Sequence, residues 1–245
     1  METIPNLHVV LQAGGEGRRI RSVDSNKPKP VLTVGGVSLI GRLLQQLASA
    51  GFQQFTVVTG LGGTIIQEHV EVFARCLPEK IVIDFYQEPR ELGNAGAVVD
   101  VATDASTIML VFADLFTEID FSRLVEIHRT RGSDVTLASH WEEHRLTLGE
   151  LQAEGSIVKD YVEKPSKKFL ICSGIAVIEQ AVLQAAQELP RPFGLSDLIQ
   201  LAIKRSHKVS HWTHGSRWMD VNTPEALHAA ETLARGDFLQ ENATA

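Results

Sequence analysis

Apolar positions along the first half of the chain fall into two alternating rhythms. Residues 7–12, 55–59, 81–85 and 108–112 are short apolar runs rich in Val, Ile and Phe, the pattern of strands buried on both faces. Residues 39–50 instead space their apolar side chains as Leu39, Leu43, Leu44 and Leu47 and stop at Gly51, which predicts a helix with a C-terminal breaker. Helical spacing recurs over 64–73, 95–102 and 121–131, and 135–139 reads as a further strand. Strands alternating with helices predict an α/β fold with a mostly parallel sheet covered by helices on both faces.

The second half is less regular. Residues 148–151, 157–162 and 170–178 read as strands of a mixed sheet and 180–189 as a helix. Thr223-Pro224 supplies an N-cap and a first-turn proline to a last helix over 225–234. No repeat, low-complexity tract or linker interrupts the pattern. The expectation is a single domain over 1–236, its substrate-binding part inserted late as a mixed sheet, with 237–245 a disordered tail.

Composition narrows the class. A chain of 245 residues can bury a sizeable core, and 44% hydrophobic with 22% charged residues is ordinary for a globular protein. The net charge of −7 argues against a nucleic-acid partner. No apolar run approaches the ~20 residues of a membrane span, and residues 1–7 are too short and polar for a secretory signal. The expected location is cytoplasmic, with Cys76 and Cys172 as reduced core thiols.

Chemistry concentrates just after the first strand. Leu11-Gln12-Ala13-Gly14-Gly15-Glu16-Gly17-Arg18-Arg19 places glycines where backbone N–H groups approach phosphate oxygens, with two arginines behind them. It is neither a P-loop nor a full dinucleotide fingerprint. Downstream, Lys27-Pro28-Lys29-Pro30 holds a lysine between two prolines that fix the backbone. Glycine loop, Arg19 and Lys29 together resemble the G-G-x-G-x-R…P-K-P pattern of the sugar-phosphate nucleotidylyltransferases, and the resemblance extends over nearly the whole chain. It implies a Rossmann-like, nucleotide-diphospho-sugar transferase-like fold. The short form resembles mannose- and heptose-1-phosphate guanylyltransferases, without a C-terminal β-helix domain.

The resemblance assigns roles by position. Leu11, Ala13, Gly14, Gly15, Gly17, Arg18 and Arg19 fall where the family binds the NTP, and Lys29 where it acts at the α-phosphate. Arg18 stands where Thr or Ser is commoner. Asp114 follows the run 108–112, at the carboxyl end of a predicted strand where α/β sheets collect ligands. Asp220 lies in Trp218-Met219-Asp220-Val221-Asn222-Thr223-Pro224, which resembles W-x-D-[IV]-G-T-P with Asn222 in place of glycine. The pair suits Mg²⁺, which takes one or two carboxylates plus phosphates and water, with Mn²⁺ as a substitute. Arg19, Lys29 and Asp114 are the expected catalytic residues.

Gln87-Glu88…Leu92-Gly93-Asn94-Ala95-Gly96-Ala97 resembles the family's L-G-T-A-G-A segment, so Gln87, Gly93 and Asn94 are NTP-binding candidates. Gln87 or Glu88 is placed to read the base edge, whereas Ala95 and Ala97 suit helix–sheet packing. Glu163-Lys164-Pro165 matches the family's E-K-P, where the glutamate meets sugar hydroxyls and the lysine the acceptor phosphate. Gly149 and Ser173 complete the acceptor set; Cys172-Ser173-Gly174-Ile175 stands where V-N-A-G-I is usual, so the family's asparagine amide is lost. The nine histidines form no site by spacing; His140/His144 and His207/His211 are i,i+4 pairs outside predicted helices, and zinc is not expected.

The implied reaction moves an NMP from an NTP, GTP or CTP preferred, to a phosphorylated acceptor such as a hexose or heptose 1-phosphate. Pyrophosphate leaves, and a homodimer is compatible with the resemblance. The alternatives are a cytidylyltransferase for a polyol or phosphonate phosphate, a molybdopterin-type nucleotidyltransferase, against which the E-K-P segment argues, and a non-catalytic nucleotide sensor.

Overall fold

The computed structural model describes residues 6–14, 27–60, 63–101 and 104–235. Its strands are β1 (Leu7–Gln12), β2 (Thr33–Val34), β3 (Val37–Ser38), β4 (Gln54–Thr59), β5 (Val82–Gln87), β6 (Thr107–Phe112) and β7 (Leu115–Thr117) in the first half. The second half adds β8 (Val135–Arg145), β9 (Glu150–Glu154), β10 (Ile157–Val162), β11 (Ser166–Glu179), β12 (Val209–Thr213) and β13 (Trp218–Asp220). The helices are α1 (Leu39–Ser49), α2 (Thr64–Ala74), α3 (Phe121–Arg131), α4 (Gln180–Ala186), α5 (Leu195–Lys204) and α6 (Pro224–Arg235).

Seven strands form one sheet in the order β12–β8–β11–β6–β1–β4–β5, parallel throughout except at β11, which runs antiparallel to both neighbours. Its two faces are buried by alternate residues of the same strands. Leu7, Val9, Leu11, Met109 and Val111 join the core beneath α1 and α3, while Val10, Ile108 and Leu110 join the one beneath α4 and α5. That double burial is why the central strands read as unbroken apolar runs. A third cluster, Leu32, Val34, Leu39, Phe116, Val221 and Ala230, ties α6 to the rest.

Several elements depart from expectation. Of the predicted helix 95–102, the described residues 95–101 hold a short 3₁₀ turn, Gly96–Val99; stiff Val98 and Val99 side chains follow a glycine, a poor helix sequence. Ala95 and Ala97 are fully buried, as packing requires. The strands at 135–139 and 170–178 run on into an exposed two-stranded ribbon, β8 pairing β11 out to Arg145 and Ser166, and β9 with β10 forms a separate exposed hairpin beyond it. Cys76 and Cys172 are exposed rather than core thiols: one follows the end of α2, the other sits where β11 leaves the body of the sheet. Residues 236–245 lie outside the described residues.

Candidate active site

The strand order reverses beside β1: the chain steps outward through β4 and β5, then returns to the other flank of β1 as β6. Gln12 is in register with Phe112 there, and the Ala113 N–H donates to the Gln12 carbonyl at 3.0 Å. The carboxyl ends of two central strands thus diverge at a topological switch point, where open α/β sheets form a crevice. Gly14 lies at this rim, where a Cβ would meet Glu88, Gln12 and Gly60. Leu11 is inside the core, in register between Val57 and Val111, and the Ala13 N–H is tied to the Val58 carbonyl at 2.8 Å. Gly15, Gly17, Arg18 and Arg19 lie outside the described residues.

Asp114 and Asp220 come together through a pairing too short to read from sequence. The three-residue strand β13 runs antiparallel to β7, with Asp220 opposite Leu115 and the Val221 N–H donating to the Asp114 carbonyl at 3.1 Å. Lys29 enters from a 3₁₀ turn flanked by Pro28 and Pro30, the backbone restraint expected of that sequence. Its Nζ lies 3.5 Å from Asp114 Oδ2, with the lysine side chain only 11% exposed and the aspartate 30%. Asn222 completes the cluster: its Oδ1 accepts from Lys29 Nζ while its Nδ2 donates to Asp220 Oδ2. The position that departs from the family's glycine is thus a bridge between cation and carboxylate.

Two carboxylates, one on the turn before β7 and one on β13, beside a buried ammonium, could supply oxygen ligands to a hard divalent cation that takes its remaining ligands from phosphates and water. Among the described residues no group of three or more His, Cys, Asp and Glu side chains could hold a metal by itself. The pair therefore fits magnesium shared with a triphosphate better than a closed protein cage.

The other candidates are placed as follows. Glu88 is buried, its carboxyl pushed above the usual carboxylate range by desolvation, with Gln12 Nε2 at 3.5 Å. Gln87 is exposed. Gly93 has φ +86°, and a Cβ there would strike the Phe193 carbonyl, so only glycine fits. Asn94 has a second duty: its Oδ1 accepts from the Leu195 N–H at 2.8 Å, capping α5. That leaves its amide nitrogen and one lone pair of the oxygen for a ligand.

On the acceptor side Gly149 packs under the Tyr161 hydroxyl, where a side chain would collide, and that hydroxyl donates to Glu163 Oε2 at 2.7 Å. Lys164 is exposed in a left-handed conformation, φ 47°, which turns the chain between β10 and β11. Ser173 is buried; its hydroxyl sits 2.8 Å from both His140 Nδ1 and His214 Nε2. The Trp218 indole donates to the Ser173 carbonyl at 2.9 Å, and its ring centroid lies 4.3 Å from that of His140. Two histidines, His140 and His214, therefore converge on the Ser173 hydroxyl. Sequence spacing missed this because the partners come from β8, β11 and the segment after β12.

A family model described as nucleotidyl transferase matches residues 8–235. A mannose-1-phosphate guanylyltransferase of Mycobacterium tuberculosis is 25% identical over 93% of this chain and 64% of its own. A glucose-1-phosphate cytidylyltransferase of Salmonella typhi is 19% identical over 89% of this chain and 91% of its own. The chain spans about three fifths of the length of the curated guanylyltransferase relatives it matches. Among solved structures, HddC from Yersinia pseudotuberculosis complexed with GMP-PN superposes with a TM-score of 0.70 at 22% identity, covering 93% of this chain and 99% of that one.

Proposed function

The chain belongs to the nucleotidyl transferase family, and on that premise we propose that it transfers an NMP from an NTP to a sugar 1-phosphate of hexose or heptose type. The observation that carries the reading is the convergence of Lys29, Asp114, Asp220 and Asn222 at the switch point. The nucleophile is a phosphate oxygen of the acceptor, ionised at neutral pH, so no protein nucleophile is needed. That oxygen attacks the α-phosphorus in line; the bond to the bridging oxygen of the β-phosphate breaks, and pyrophosphate leaves with the electron pair.

Catalysis then consists of positioning and charge neutralisation. Lys29, held by Asn222 and facing Asp114, places one fixed positive charge where negative charge grows. Asp114 and Asp220 would hold Mg²⁺, which when bound supplies Lewis-acid neutralisation of the phosphate oxygens. The names of the relatives support GTP or CTP as donor and a sugar 1-phosphate as acceptor. Glu163 and Lys164, at the turn between the exposed hairpin and the ribbon, are the proposed contacts to sugar hydroxyl and acceptor phosphate.

A pyrophosphate-release screen tests this. The four common NTPs are crossed with sugar, heptose, polyol and amino-alcohol phosphates, with Mg²⁺ and with chelator. The expected result is metal-dependent release with one NTP and a sugar 1-phosphate. Release only with a polyol or amino-alcohol phosphate would replace the acceptor class, and full activity in chelator would remove the metal.

A further inference from the structure

Between the Trp218 indole and the Glu163-Lys164-Pro165 turn, strand β8 carries a line of side chains on one face: His140, Glu142 and His144. His140 stacks on Trp218, and farther along the chain Leu146 donates its N–H to the Pro165 carbonyl at 2.9 Å. Trp218 and Asp220 are two residues apart on β13 and so share a face. Glu142 therefore stands beyond the indole as seen from the metal carboxylates, between them and the E-K-P turn.

Its carboxylate is held from both sides. His140 Nε2 lies 3.1 Å from Oε1 and His144 Nε2 2.9 Å from Oε2. An ionised carboxylate only accepts, so with neutral imidazoles the protons run in one direction. His214 Nε2–H donates to the Ser173 hydroxyl, the hydroxyl to His140 Nδ1, and His140 Nε2–H to Glu142. These hydrogen bonds keep the Glu142 carboxyl below the usual carboxylate range, that of His140 contributing most. Two of its roughly four lone-pair directions remain open. The nearby cations are engaged elsewhere: Lys167 with Glu150, and Lys168, across the strand pair, faces Glu143. Phe169 is the residue opposite Glu142 on β11.

We propose that Glu142 is a specificity-determining residue of the acceptor subsite, a fixed carboxylate that accepts hydrogen bonds from ring hydroxyl or ammonium groups and rejects acceptors bearing an acidic group on the ring. The proposal rests on the sugar 1-phosphate reading above. It assigns Ser173 and His140 the task of orienting Glu142 rather than touching the acceptor. Acceptors of neutral or amino-sugar type are the chemical class that follows, since a uronic acid would bring a second carboxylate against one fixed in place by two imidazoles.

The test compares kcat/KM of the Mg²⁺-supplied enzyme for a neutral hexose 1-phosphate, the matching hexosamine 1-phosphate and the matching hexuronic acid 1-phosphate. Wild type should disfavour the uronic acid by roughly tenfold or more, the scale of one mismatched polar group. Glu142→Gln should weaken the neutral acceptor through KM, narrow the uronic acid gap and leave the KM for NTP unchanged. Glu142→Asp, which keeps the charge, should keep the gap. An unchanged acceptor ratio in Glu142→Gln, with Lys164→Ala still raising the acceptor KM, would overturn the proposal and leave the reading standing. No turnover of any sugar 1-phosphate by wild type would overturn both.

Discussion

Asn222→Ala is the sharpest probe of the site, because it removes a bridge without removing a charge. Asn222 contacts Lys29 through one side-chain atom and Asp220 through another. Each of those bonds involves a charged partner, a class that contributes about 1.5–3 kcal/mol. Lys29 is only 11% exposed but keeps Asp114 at 3.5 Å, so that ion pair offsets part of the loss of stability. It does not restore aim. If one such contact is fully expressed in the transition state, kcat/KM falls by roughly ten- to a hundredfold. The loss should appear in kcat, with NTP affinity nearly unchanged by calorimetry. Asn222→Asp sharpens the test: it still accepts from Lys29 but sets a like charge against Asp220, so it should act below Asn222→Ala. Wild-type kcat in Asn222→Ala, in steady-state pyrophosphate release, would refute the claim that the bridge aims Lys29.

Three further outcomes are expected. Asp114→Asn or Asp220→Asn should nearly abolish Mg²⁺-dependent turnover, by about a hundredfold or more for a lost charged donor, with circular dichroism unchanged; retained turnover would remove that carboxylate from the metal site. Lys164→Ala should raise the acceptor KM and lower kcat/KM roughly ten- to a hundredfold with NTP affinity unaffected, and an unaltered acceptor kcat/KM would make the E-K-P segment a surface turn only. Burial, partly opposed by Asp84, lowers the pKa of His8, whose Nε2 lies 2.8 Å from Thr56 Oγ1. The unfolded state therefore binds the proton more readily, so stability is full above about pH 6.5 and falls as pH drops through that value. Denaturant titrations at pH 7.5 and 5.5 should show this fall, and His8→Asn should reduce it, leaving the part that belongs to His214, whose pKa burial also lowers; an equal fall in the variant would put the proton elsewhere.

The central sheet was legible because its strands are buried on both faces, which leaves an unmistakable run such as Val9-Val10-Leu11. Helix α3 was legible to the residue, its start capped by Asp120 and its end marked by Gly132 at φ 55°. Helix α5 was missed although Gly194 and Asp197 form a capping arrangement before Leu195, Leu198 and Ala202; its start depends on Asn94, far off in sequence. Strands β7 and β13 are three residues each, below any periodicity, yet they are what brings Asp114 to Asp220. Lys29 and both aspartates were found by motif. Asn222 was noticed only as a missing glycine, because its value lies in two contacts that exist only once the chain is folded. The histidines escaped for the same reason.

Strand β11 spans fourteen residues, and its two halves live in different surroundings. Ser173–Ile178 is buried between β6 and β8, whereas Ser166–Leu170 lies exposed on the ribbon, with the register slipping between Cys172 and Ala176. Hydrogen bonds in the outer half are open to water and backed by little apolar contact, so that half opens at a lower free energy than the inner one. Amide exchange should therefore be fast from Ser166 to Leu170 and slow from Ile175 onward, with the slip in register as the hinge between two cooperative units. Glu142 and the Glu163-Lys164 turn belong to the outer ribbon, whereas Asp114 follows β6, the inner half's neighbour in the sheet. Warming would thus silence acceptor recognition first, while the nucleotide half stays folded and ready to recover it on cooling.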